Sequence, residues 1–137
     1  MNKGRILIIE DEAIVADDIF YCLQKAGYEV PLICSSGEEA LAALVKEPVD
    51  LALVDILLSG SMDGIETAKQ LRWNHQIPVI YLTSFTNESM IERAKLTTPT
   101  GYIVKPFKRR ELLATVEMAL YRRESASDDL NASIPGM

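Results

Sequence analysis

Leu51-Ala52-Leu53-Val54-Asp55 is a run of four apolar residues closed by a carboxylate. Its side chains do not alternate with polar ones, so a strand here needs cover on both faces. Ile6-Leu7-Ile8-Ile9, Val79-Ile80-Tyr81-Leu82 and Tyr102-Ile103-Val104 read the same way. A weaker run, Val30-Pro31-Leu32-Ile33-Cys34, contains a proline, which cannot donate to a ladder and belongs on a sheet edge.

Helical patterns separate these runs. Ala16, Ile19, Phe20 and Leu23 recur at helical spacing, and the segment closes at Gly27. Ser36-Gly37-Glu38-Glu39 is a capping-box sequence ahead of Leu41, Leu44 and Val45, with the helix expected to end before Pro48. Asp63-Gly64-Ile65-Glu66 opens another helix, carrying Ala68 and Leu71. A short helix is expected over Asn87–Lys95 with Met90, Ile91 and Ala94 inward. The last runs from about Lys108 to Glu124 with Leu112, Val116, Ala119 and Leu120 on one side.

Five strand-then-helix units imply an α/β fold, a doubly wound five-stranded parallel sheet with helices on both faces. The flavodoxin-like order 2-1-3-4-5 makes the proline-bearing second strand an edge and places the richest apolar runs inside. Residues 1–124 are expected to form one domain, and 125–137 lack periodicity and read as a polar tail or linker.

The 137 residues suffice for one continuous core, and 48% hydrophobic with 25% charged residues argues against wholesale disorder. The net charge of −6 makes nucleic acid and anionic membranes poor default partners. No apolar run reaches the roughly 18 residues needed to span a bilayer, so a cytoplasmic protein is expected. Cys22 and Cys34 lack zinc-ligand spacing and read as buried free thiols, and His75 as a surface or boundary residue.

In doubly wound sheets, ligands bind outside the carboxyl ends of the strands, at the switch between the first and third. Glu10-Asp11-Glu12 follows the first run, Asp55 the third, Thr83-Ser84 the fourth and Lys105-Pro106 the fifth. The carboxylates Glu10, Asp11 and Asp55 from two adjacent strands would repel one another in a partly desolvated crevice. A hard divalent cation relieves that repulsion, and an all-oxygen cluster selects Mg²⁺. The lysine and hydroxyl supply donors for an anion's remaining oxygens. The set reads as a carboxylate nucleophile aligned with a metal for phosphoryl transfer.

Glu10-Asp11, Asp55, Met62-Asp63-Gly64, Thr83 and Lys105-Pro106-Phe107 together resemble the receiver domain of two-component response regulators, over about residues 4–122. The resemblance implies a phosphorylation-dependent switch rather than an enzyme in its own right. Asp55 would accept a phosphoryl group from a histidine kinase or phosphotransfer protein. Glu10, Asp11, Asp55 and the backbone carbonyl of Leu57 would hold Mg²⁺. Lys105 would pair with the phosphoryl oxygens and Thr83 would hydrogen-bond them. Tyr102 matches the aromatic switch residue, and the Lys105–Pro106 bond would be cis.

The loop from Asp55 to Gly64 is one residue longer than is usual in that family and lacks its Met-Pro step. Two positions that flank the phosphoryl group there are Leu57 and Phe85, neither able to orient a water, which implies slow self-dephosphorylation. Asp55 lacks the second aspartate two residues on that a haloacid-dehalogenase-type phosphatase needs. Glu10-Asp11-Glu12 would repel a flavin phosphate, and no GxxxxGK[ST] exists for a nucleotide. A phosphorylation-independent interaction module, or the excised receiver of a hybrid sensor or regulator, is the alternative. The downstream partner or fused output domain is left open. Lys108-Arg109-Arg110 reads as a solvated charge cluster, and with Glu88, Glu92 and Arg93 it offers both signs for a homodimer through the last two helices.

Overall fold

The computed structural model describes residues 3–58, 60–84 and 88–133, those after 122 by backbone only. Five strands, β1 (Arg5–Ile9), β2 (Glu29–Cys34), β3 (Leu51–Asp55), β4 (Val79–Thr83) and β5 (Gly101–Val104), alternate with five helices. These are α1 (Ala13–Lys25), α2 (Gly37–Ala43), α3 (Gly64–His75), α4 (Glu88–Lys95) and α5 (Arg109–Ser133). All paired strands are parallel, in the order β2-β1-β3-β4-β5 expected from the sequence. Pro31 lies on the edge strand β2, where its missing N–H is not needed by a second neighbour.

Strand alternation divides the core in two. Leu7, Ile9, Ala52, Val54, Val79 and Tyr81 pack with Ala40, Ala68, Leu71 and Ala94 from α2, α3 and α4. Ile6, Ile8, Leu51, Leu53, Ile80 and Leu82 pack with Ile19, Leu23, Leu112 and Val116 from α1 and α5 on the other face. β3 and β4 are buried along their whole length, which is why their runs show no polar alternation.

Two helix starts follow their caps closely. The Asp63 carboxylate accepts from Glu66 N at 2.8 Å, and Ser36 Oγ accepts from Glu39 N at 3.2 Å. The reciprocal half of the expected capping box is displaced by one residue, because Glu39 Oε2 accepts from the Ser35 hydroxyl at 3.2 Å.

Three expectations change. α2 ends at Ala43, and Val45 is 82% exposed rather than on an inward face. Lys46 and Glu47 donate back to the Ala43 carbonyl, tightening the chain ahead of Pro48, whose ring disfavours a helical preceding residue. α5 continues past Glu124 to Ser133, so the backbone of the segment read as a polar tail is helical over its first part. That stretch holds no glycine or proline before Pro135, while Ala126, Leu130 and Ala132 favour a helix. In α4, Ala94 is buried, but Met90 and Ile91 are half-buried; Asn87 lies outside the described residues. Cys22 and Cys34 are buried free thiols and His75 is exposed, as expected.

Candidate functional site

β1 and β3 are neighbours in register, with Ile9 opposite Val54, so the residues that leave their carboxyl ends meet. Glu10 and Asp55 are almost fully buried there, and Asp11 is exposed. Each of the three offers a carboxylate oxygen, and those oxygens all lie within 4.8 Å of one another. Such an all-oxygen set, with one member open to solvent, fits a hard divalent cation better than a nitrogen- or sulfur-seeking metal.

From the other side β5 delivers Lys105. Its backbone N–H donates to the Thr83 carbonyl at 2.7 Å, and the Lys105–Pro106 peptide is cis, as the resemblance implied. Lys105 Nζ donates to Glu10 Oε1 at 2.6 Å and to Asp55 Oδ2 at 3.3 Å. The remaining oxygens are held by backbone: Leu57 N donates to Asp55 Oδ1 at 3.0 Å, and Glu12 N to Glu10 Oε2 at 3.2 Å. A cavity of about 460 Å³ opens over this set, lined by Asp11, Asp55, Leu57, Thr83, Ser84 and Lys105 among others. Glu10 is not in that lining; it reaches the site through its contact with the Lys105 ammonium group.

Burial pushes the Glu10 carboxyl up to about 7, with the Asp55 hydrogen bond and charge adding to the rise and Lys105 and the Glu12 amide opposing it. Burial alone would lower the Lys105 ammonium, but its Glu10 hydrogen bond and the Asp55 charge outweigh it, and the net shift is upward. A carboxyl with a raised folded pKa binds its proton more tightly folded than unfolded. Its contribution to stability is therefore present below the ordinary value of 4.5 and lost as pH rises towards about 7. In chelator, wild type is expected to lose stability relative to Glu10→Gln, the neutral isostere of the protonated carboxyl, as pH rises across that window. Urea titrations at several pH values check this, and a pH-independent difference would show the assignment wrong.

The structure thus brings Glu10, Asp11, Asp55, Thr83 and Lys105 together with the backbone of Leu57. Tyr102 lies apart, on β5, with its ring stacked on Tyr81 at 5.9 Å between centroids. Its hydroxyl is buried and finds no hydrogen-bond partner among the described residues. Phe85 lies outside the described residues. Pairing of Glu10 with Lys105 was not legible from the chain, since 95 positions separate them and either could face solvent. Nor was the buried hydrogen bond between the Tyr81 and Thr97 hydroxyls, at 2.7 Å. A threonine just after a helix leaves no sequence mark of that kind.

A family model for the response regulator receiver domain matches residues 6–117. Transcriptional regulatory protein PdtaR of Mycobacterium tuberculosis is 32% identical over 118 residues, which make up 86% of this chain and 57% of that protein. Transcriptional regulatory protein ResD of Bacillus subtilis is 34% identical over 134 residues, 98% of this chain and 55% of that protein. The chain therefore spans little more than half the length of these curated relatives. Among solved structures, the signal receiver domain of a modulated diguanylate cyclase from Desulfovibrio desulfuricans superposes with a TM-score of 0.86 at 35% identity. That match covers 90% of this chain and 98% of the other. The receiver domain of NtrX from Brucella abortus gives 0.79 at 28% identity, covering 85% and 98%.

Proposed function

Because the chain belongs to the response regulator receiver domain family, a signalling module of two-component systems, we propose that Asp55 is its phosphoacceptor. The observation that supports this most is the pair of donors on the Asp55 carboxylate, Leu57 N on Oδ1 and Lys105 Nζ on Oδ2, at the floor of an open cavity. A carboxylate held this way is oriented for attack, as a nucleophile must be.

An Asp55 oxygen forms the new O–P bond as the P–N bond to the donor's imidazole breaks, and the electron pair of that bond stays on the imidazole nitrogen. Lys105 neutralises charge on the phosphoryl oxygens, and the Thr83 hydroxyl, at the cavity wall, donates to one of them. Mg²⁺, when bound, neutralises charge on the carboxylates and the transferring group. Glu10, Asp11, Asp55 and the Leu57 carbonyl are its ligands in this reading. Tyr102 follows Thr83 as a switch residue.

The donor is a histidine kinase or a phosphotransfer protein, and the domain acts in the cytoplasm by changing the surface it shows a downstream protein or fused output domain. Residues 1–124 form the receiver and 125–137 a polar tail or linker, whose described part, up to Ser133, continues α5. Among the described residues, no helix is long and apolar enough to cross a membrane. The chain assists its own phosphoryl transfer but turns over no separate substrate.

Incubation with a small phosphodonor and Mg²⁺ is expected to add the mass of one phosphoryl group, and a chelator to prevent it. Failure to label under any metal condition would favour an interaction module that works without phosphate. Leu57, 49% exposed at the cavity, has no group to orient an attacking water. The phosphorylated form is therefore expected to last minutes or longer, and Leu57→Asn to shorten it. Decay of wild type within seconds would contradict this part of the reading.

A further inference from the structure

Two buried residues at the far end of the Asp55–Gly64 loop take no part in the proposed transfer, and they rest against each other. Gly37, the first residue of α2, and Thr67, the fourth of α3, are both buried, Thr67 completely. Neither lines the cavity over Asp55. A Cβ at Gly37 would lie 2.0 Å from Thr67 Oγ1, 3.1 Å from Thr67 Cβ and 3.2 Å from Met62 Sδ. The backbone at the start of α2 therefore sits directly on the Thr67 side chain, with no room for a further heavy atom.

Both partners are anchored. Ala40 and Leu44 bind α2 to the core, and Ser36 caps its first turn. The Thr67 hydroxyl and N–H both donate to the Asp63 carbonyl, at 2.8 and 3.0 Å. Turning the hydroxyl away from Gly37 would break the first of these bonds. The loop leans on the same place, since the Ser61 hydroxyl donates to Glu38 Oε1 at 3.0 Å. Asp63 is followed by Gly64, where a Cβ would sit 2.1 Å from the Asp55 carbonyl oxygen. Three layers are thus stacked with a glycine at each contact: the start of α2 on the start of α3, and the start of α3 on the end of β3 that carries Asp55. A displacement at the first contact reaches the second, because a close-packed interior transmits strain.

We propose that Gly37 and Thr67 are positioning residues for Asp55: their contact seats the start of α3, and through Gly64 that seat fixes the carboxyl end of β3 and the aim of the Asp55 carboxylate. This deepens the reading of Asp55 as the phosphoacceptor and rests on it. A nucleophile pushed out of line loses rate even where the chain stays folded.

Phosphoryl acceptance from a small phosphodonor with Mg²⁺, timed by intact mass on the whole chain, gives the rate, and urea denaturation of the same samples gives the folded fraction. Under conditions where it is folded, Gly37→Ala is expected to accept about tenfold more slowly than wild type. Thr67→Ala, which removes the seat, is expected to be about threefold slower. Thr67→Ser keeps the hydroxyl and its bond to Asp63, and is expected to stay within about twofold of wild type. In the Thr67→Ala background the Oγ1 clash is gone, so adding Gly37→Ala is expected to cost less than about twofold more. A wild-type rate in folded Gly37→Ala, losses that multiply in the double variant, or equal rates in Thr67→Ala and Thr67→Ser would overturn the proposal. So would changes confined to the urea midpoint, which mark a purely structural role. If Gly37→Ala does not fold, the two threonine variants decide. A wild-type chain that takes up no phosphoryl group removes the phosphoacceptor reading and this proposal with it, whereas a labelled wild type with unaffected variants removes the proposal alone.

Discussion

Lys105→Ala is expected to slow phosphoryl acceptance by about 10²–10³-fold, the usual cost of removing one preorganised donor from a developing charge. The side chain is 20% exposed and its ammonium bridges two carboxylates that are almost completely shielded from water, Glu10 at 2.6 Å and Asp55 at 3.3 Å. Deleting it removes the ammonium that opposes the upward shift of the Glu10 carboxyl and leaves its repulsion with Asp55 unrelieved. The same variant should therefore lose about 3 kcal/mol of stability in chelator, as when one partner of a buried pair is removed. Millimolar Mg²⁺ should recover part of that loss, because a divalent cation relieves the same repulsion. Time-resolved intact-mass measurement with a small phosphodonor gives the rate, and urea denaturation with and without Mg²⁺ gives the stability. A rate within a factor of about three of wild type would remove Lys105 from the transfer step.

Gly64→Ala should be the most destabilising conservative substitution near the site. A Cβ at Gly64 would lie 2.1 Å from the Asp55 carbonyl oxygen and 2.9 Å from both the Cα and the carbonyl oxygen of Ile56. Each of these is backbone of β3 or of the residue after it, so no side chain can rotate away. Alanine is the better helix former by about 1 kcal/mol, which favours the variant. Overpacking against rigid backbone costs about 3 kcal/mol, and it wins. Because the atom displaced belongs to Asp55, labelling of that residue should fall along with the denaturation midpoint. A loss of stability under about 1 kcal/mol would mean that the start of α3 can withdraw from β3 freely.

Much of this is legible in the amino-acid sequence. The continuous apolar runs gave both-sided burial, and Pro31 gave the edge, so strand order followed from two independent signals. The carboxyl-end residues Glu10, Asp11, Asp55, Thr83 and Lys105 were legible for the same reason: the parallel topology sends every strand's end to one side. Helix ends were less so. Leu41, Leu44 and Val45 keep helical spacing past the point where Pro48 turns the chain, and periodicity does not register that competition. The tail misled in the opposite direction, since its polar composition hides the absence of any helix breaker before Pro135. Side-chain pairing across the fold was out of reach. Neither Glu10 with Lys105 nor Asp63 with Arg93 has a local pattern, because both depend on which rotamer the packed site allows.

The net charge of −6 is unevenly spread along the chain. The 6 basic and 15 acidic residues of positions 1–92 include the three carboxylates of the site, while Lys105 belongs to the basic stretch that follows. The two signs meet at the carboxyl edge of the sheet.

The most direct test of Asp55 as phosphoacceptor is to locate the phosphoryl group. After labelling with a small phosphodonor and Mg²⁺, borohydride reduction of the acyl phosphate and peptide mass mapping should place the modification on Asp55, and Asp55→Asn should abolish it. A modification on any other residue, or labelling that persists in Asp55→Asn at the wild-type rate, would contradict the assignment.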